Sequence, residues 1–246
     1  MCHKRVRKFS LICSLFLLVI HSAAGRADDV AVFNEAIEKV NQPYKSALFY
    51  LRTGNAGVAG IELSTASAAW NAVVERYAKA PPAPLTQDAV WPETIHDITA
   101  AFETGQKLAE SGDAKPAREA LLPIRGLLHQ MRKRNGLRVL ADCVFDLNGH
   151  MDVLYHWRHN RADFSDPAVR DKATKASQQY IDQLKLCRSE APDTLKKNAD
   201  FKSVMDGAAK SAGTLLRPIE RQEPDAFINV LRELKSFDVI IFVRWG

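Results

Sequence analysis

Apolar residues recur every three or four positions along nearly the whole chain. Between Asp29 and Thr53 they fall at Val30, Phe33, Ile37, Val40, Tyr44, Ala47, Leu48 and Leu51, one face of a helix. Pro43 sits inside that stretch and predicts a bend or a break. A second helix is predicted over Gly57–Ala78. A third runs from Trp91-Pro92 to Gly112, with proline in its first turn. A fourth runs from a capping Asp113 to Asn135-Gly136. The plan then restarts, with helices over Leu137–His159, from Asp166-Pro167 to about Cys187, over Asp200–Arg217, and from Pro224 almost to the end. No segment sustains the two-residue alternation of a half-buried strand. The predicted fold is all-α: two tandem antiparallel four-helix units, 28–136 and 137–246, with separate cores or one shared core.

The two halves also resemble each other. Gly112–Gly136 and Gln222–Gly246 align on their final glycines, so that Ile124 meets Leu234, Arg125 meets Lys235 and Arg134 meets Arg244. Such self-similarity reads as an internal duplication.

Residues 1–27 read differently from the rest. Lys4, Arg5, Arg7 and Lys8 precede an apolar Leu11–Ile20, and the small residues Ala23, Ala24, Gly25 and Ala27 follow. That order is the pattern of a cleaved export signal, its apolar part being too short for a membrane span. The expected location is secreted or periplasmic, with no membrane-spanning segment after cleavage. Removing the signal changes the charge. The whole chain carries 34 Lys+Arg against 29 Asp+Glu, and residues 1–27 hold five of the basic residues and no acidic ones, leaving 29 of each. That balance points away from a nucleic-acid partner. A basic run remains at Arg125, Arg132, Lys133, Arg134 and Arg138, read as a solvated helix end. A 46% hydrophobic content excludes a disordered chain.

Cleavage leaves two cysteines, Cys143 and Cys187, in an oxidising compartment. In an antiparallel hairpin of the fifth and sixth helices both lie near the same end, which predicts a Cys143–Cys187 disulfide. A thiolate metal site is the rival reading.

Candidate chemistry is sparse. Asp146 and His150 are four residues apart, as are Asp152 and His156, so each pair shares a helix face. With Met151, and with His129 on the preceding helix, these residues form a candidate copper or haem site: His129, His150, Met151 and His156. Core filling by Met151 is the competing reading. Glu93 and His96 give one Glu-x-x-His, where a di-iron bundle needs two. An exported four-helix plan is similar to that of the cytochromes c′. Their Cys-x-x-Cys-His segment late in the last helix is absent here, where those ends read Met131–Asn135 and Phe242–Trp245; no family is assigned. The C-terminal run Val239–Trp245 is apolar almost all round, which predicts burial between the halves or a partner or homodimer surface. The expected function is therefore non-catalytic binding or scaffolding of a protein or small molecule; copper or haem handling is the alternative.

Overall fold

In a computed structural model the described residues are 10–246, with side chains from residue 29 onward. The expected signal segment, residues 1–27, lies outside the described side chains. The helices are α1 (Ser10–Arg52), α2 (Ala56–Tyr77), α3 (Trp91–Glu110), α4 (Ala114–Leu121), α5 (Pro123–Arg134), α6 (Leu140–Tyr155), α7 (Pro167–Glu190), α8 (Asp193–Lys196), α9 (Ala199–Ala212), α10 (Leu216–Glu220) and α11 (Pro224–Trp245). Among the described residues there is no strand, and no helix is long and apolar enough to cross a membrane. The boundary between two compact units falls between Asn135 and Gly136.

The first unit is a closed ring: α2 packs on α1 and α3, α3 on α4 and α5, and α4 returns to α1. Its core takes the predicted stripe of α1, with Phe33, Ile37, Val40, Tyr44, Ala47 and Leu51 at most 2% exposed. Phe33 meets Tyr77 and Trp91 edge to face at 5.2 and 5.8 Å. That packing on both sides of Pro43 keeps α1 continuous through the proline, where a break was equally expected.

The break comes instead at Pro123. The fourth helix, expected to be single, is two helices meeting at Leu122. Proline has no N–H, and its ring crowds the carbonyl four residues back. Tyr44 completes the interruption. Its hydroxyl donates to the Leu121 carbonyl at 3.0 Å and accepts from the Arg125 backbone N–H. Those are the two groups that an unbroken helix would join to each other.

The second unit repeats the ring: α6 packs on α7 and α11, and α9 on the same two. Its first helix ends earlier than the pattern predicts, at Tyr155, and continues as a 3-10 turn, His156–Arg158. Its third is shorter too, with α10 added after it. Cys143 and Cys187 are bridged, their Cα atoms 5.4 Å apart, and both are buried. The bridge closes a loop of 44 residues, which constrains the unfolded chain by about 4 kcal/mol in the chain-entropy picture.

At the spacing set by Gly136 and Gly246, buried positions recur in the third and fourth helices of the two units. Trp91, Ile95, Ile98, Phe102 and Ala109 are buried, and so are Phe201, Met205, Ala208, Ala212 and Ile219. Ala117, Leu121, Ile124 and Met131 match Phe227, Leu231, Leu234 and Ile241, again all buried. The turn between the two helices corresponds as well. Gly112 has φ 83° and Gln222 φ 57°. Asp113 N–H donates to Leu108 O at 2.9 Å and Glu223 N–H to Pro218 O at 2.8 Å. This is the six-to-one bond of a left-handed helix stop. The last turns are tied down alike, Arg134 to Asp88 and Arg244 to Asp200.

Tyr44→Phe strands the Leu121 carbonyl and the Arg125 N–H, and lowers stability by about 1–3 kcal/mol in urea unfolding. Gln222→Gly relieves a left-handed backbone that glycine adopts freely, and raises stability by about 1 kcal/mol in the same measurement.

Candidate functional site

The spacing that fills the second core also carries a carboxylate into it. On α11 the buried positions are Phe227, Leu231, Leu234, Asp238 and Ile241, in steps of three and four. Asp238 is 2% exposed and occupies the place of Leu128 in the first unit, which is 3% exposed. A buried carboxylate is costly unless donors meet it, and here two do. Asn148 on α6 donates to Oδ1 at 2.6 Å, and Lys235, one turn earlier on α11, donates to Oδ2 at 2.9 Å. Lys235 also donates to Asp152 on α6 at 3.0 Å and lies over the Tyr155 ring, 5.6 Å from its centre. The chain of groups runs from exposed Asp152, through half-buried Lys235, to buried Asp238.

Burial pushes the Asp238 carboxyl above the ordinary aspartate value, although Lys235 and Asn148 pull the other way. Burial of Lys235 opposes its charge, yet Asp238 and Asp152 outweigh that and hold the ammonium above its usual range. Tyr180 on α7 is fully buried, and its hydroxyl has no hydrogen-bond partner. Burial first, and then the nearby Asp238 charge, keep that phenol protonated. The arrangement can take up and release one proton at a carboxylate shielded from water.

The first unit buries a charge too. Lys45 is 2% exposed, and its amine has no hydrogen-bond partner. Burial pushes its pKa below the usual lysine value, against the pull of Glu38.

The first unit also carries a surface groove. Two adjoining creases of about 490 and 330 Å³ run along α2 and α3 and share Gln106 and Glu110. The α2 wall is built of Gly57, Gly60, Ser64 and Ser67, with Ile61 beside them 70% exposed. A side chain at Gly60 would meet nothing within 4 Å, and one at Gly57 only Asn55 Oδ1 at 4.0 Å.

Of the residues expected to hold copper or haem, His150, Met151 and His156 belong to the second unit. Met151 is 0% exposed in the second core, whereas His156 is exposed, its ring 3.2 Å from the Asn160 amide. His150 is half-buried, and His129 belongs to the first unit. Of the aspartates that share a helix face with these histidines, Asp146 pairs with Arg138 and Asp152 with Lys235. Glu93 and His96 are both exposed. Among the described residues no three His, Cys, Asp or Glu side chains gather as a metal group. The basic run is not simply solvated, since Arg132 is 4% exposed and Arg134 is paired with Asp88. The C-terminal helix is not buried all round, Ile240 and Val243 being 38% and 37% exposed.

Asp238 carries no signal of residue type, unlike the histidines and methionine of the sequence-predicted site. The readable signal was its alignment with Leu128, a carboxylate at a core position. Comparison with protein-family models, with curated proteins and with solved structures finds no match to this chain.

Lys235→Met leaves Asp238 charged and buried without its cation. The variant loses about 3–5 kcal/mol at neutral pH. The loss shrinks toward acid pH, where the carboxyl takes a proton, and guanidinium unfolding at the two pH values measures the difference.

Proposed function

We propose that this chain is an exported scaffold, built from two copies of one helical unit, that works by binding a helix of a partner protein in the α2–α3 groove. The supporting observation is the pair of open glycines. A glycine inside a helix costs about 1 kcal/mol relative to alanine. Gly57 and Gly60 have ordinary helical backbones, and neither is needed to admit a neighbour within the unit. By contrast, a Cβ on Gly105 would come within 2.6 Å of Leu121, so that glycine serves internal packing. The small residues from Gly57 to Ser67 span about 15 Å along α2 at 1.5 Å per residue, room for nearly three turns of a second helix. Ile61 supplies apolar contact at the groove wall, and Glu103 and Glu110 outnumber Lys107 there, which favours a partner helix carrying lysine or arginine. The buried disulfide fits an oxidising compartment.

The test uses the full chain in its native host, with a photo-reactive residue at Ser64 and a control at exposed Lys202. Expected are a mature N-terminus after Ala27 and a discrete polypeptide adduct at Ser64 alone. Gly60→Leu fills the groove, abolishes the adduct and leaves the melting temperature unchanged or raised. A retained residue 1–27 segment sinks the export reading. An adduct that persists in Gly60→Leu, or one that is a small molecule, sinks the helix-docking reading.

A further inference from the structure

Asp238 sits where the corresponding helix of the first unit places leucine, so an apolar residue there is compatible with a four-helix unit of this plan. Its oxygens face Asn148 of α6 and Lys235 of its own helix. Asp152 of α6 also acts on it, and Asp238 in turn acts on Tyr180 of α7. On α9 the nearest level carries Asp206, which is engaged by Arg188 at 2.6 Å.

We propose that Asp238 is a proton-operated switch inside the second unit: charged, it draws Lys235 inward and ties α11 to α6, and protonated, it releases Lys235 to the surface and leaves the core without a buried charge. The proton lands on a carboxylate oxygen; no bond other than O–H forms or breaks. In the charged state one ammonium bridges a buried and an exposed carboxylate, 2.9 Å from Asp238 and 3.0 Å from Asp152. In the protonated state Lys235 keeps the exposed Asp152 alone, and the surface beside Tyr155 gains a mobile cation.

The sign of the pH effect is set by the buried carboxyl. Its folded value lies above its unfolded one. The stabilisation is therefore full below the ordinary aspartate value of about 3.9, and it is lost as pH rises through the folded value.

The experiment is a titration of the full chain labelled at aspartate carboxyl and lysine side-chain carbons and nitrogens. Spectra of Asp238→Asn and Lys235→Gln provide the assignments. One carboxyl resonance, missing in Asp238→Asn, is expected to titrate clearly above about 3.9, and the Lys235 resonances to follow the same curve. The denaturation midpoint of the wild type falls as pH rises across that interval relative to Asp238→Asn, while Asp206→Asn tracks the wild type. Should Asp238→Asn fail to fold, Asp238→Leu, which installs the first unit's residue, takes its place. An Asp238 carboxyl that titrates at or below the ordinary value overturns the proposal. So does a Lys235 signal blind to that titration, or an unchanged pH profile in the Asp238 variants.

Discussion

The left-handed stop between the third and fourth helices governs what each core contains. At Gly112 and at Gln222 the chain reverses through the same turn, closed by the same backbone bond. A helix turns about 100° per residue. Starting α11 one residue later would rotate its buried stripe by that angle and carry Asp238 out of the core. The burial of Asp238, its bond to Asn148 and the inward reach of Lys235 all depend on a turn sixteen residues upstream. The first unit has glycine at the left-handed position, whereas the second forces glutamine into it. The geometry of the turn is thus kept where the residue best suited to it is missing.

The same register leaves the two fourth helices free to differ along their length. In the first unit Pro123 interrupts the backbone, and the Tyr44 hydroxyl closes the gap from α1. In the second unit the corresponding residue is Glu233 and α11 runs unbroken for 22 residues. What binds the fourth helix to the first therefore differs in kind. One unit uses a neutral hydroxyl inserted into a broken ladder. The other uses an amide and an ammonium converging on a carboxylate, reinforced by the disulfide between α6 and α7. The neutral contact carries no titrating charge in the neutral range, whereas the charged one changes with the protonation of Asp238.

Helix positions were legible in the sequence because burial of one face imposes a three-to-four spacing that survives in any order of residues. Caps were legible by position: Asp166 accepts from Ala168 N–H ahead of Pro167, whereas Asp113 stands at the start of α4 without a side-chain capping bond. The cysteine pairing was legible because two helices of known length fix which ends meet. The break at Pro123 was not, since its partner Tyr44 lies 77 residues away from Leu121 and two prolines, 43 and 123, look alike locally. Their fates are decided by what packs around them: a tight apolar stripe holds α1 straight, and an inserted hydroxyl stabilises the bend after α4.

The candidate sites show the opposite balance. His150 and His156 stand out by residue type, and helical geometry sends Met151 inward and His156 outward. Asp238 stood out only by position, as a carboxylate written into an apolar register. Position is the stronger guide in a bundle whose interior is defined by spacing. A polar residue on the surface costs little wherever it falls, while one on the buried stripe must be met by donors from neighbouring helices or be lost as the sequence drifts. Asp238 is met by Asn148 from another helix and by Lys235 from its own, so its charge state is coupled to the contact between α6 and α11.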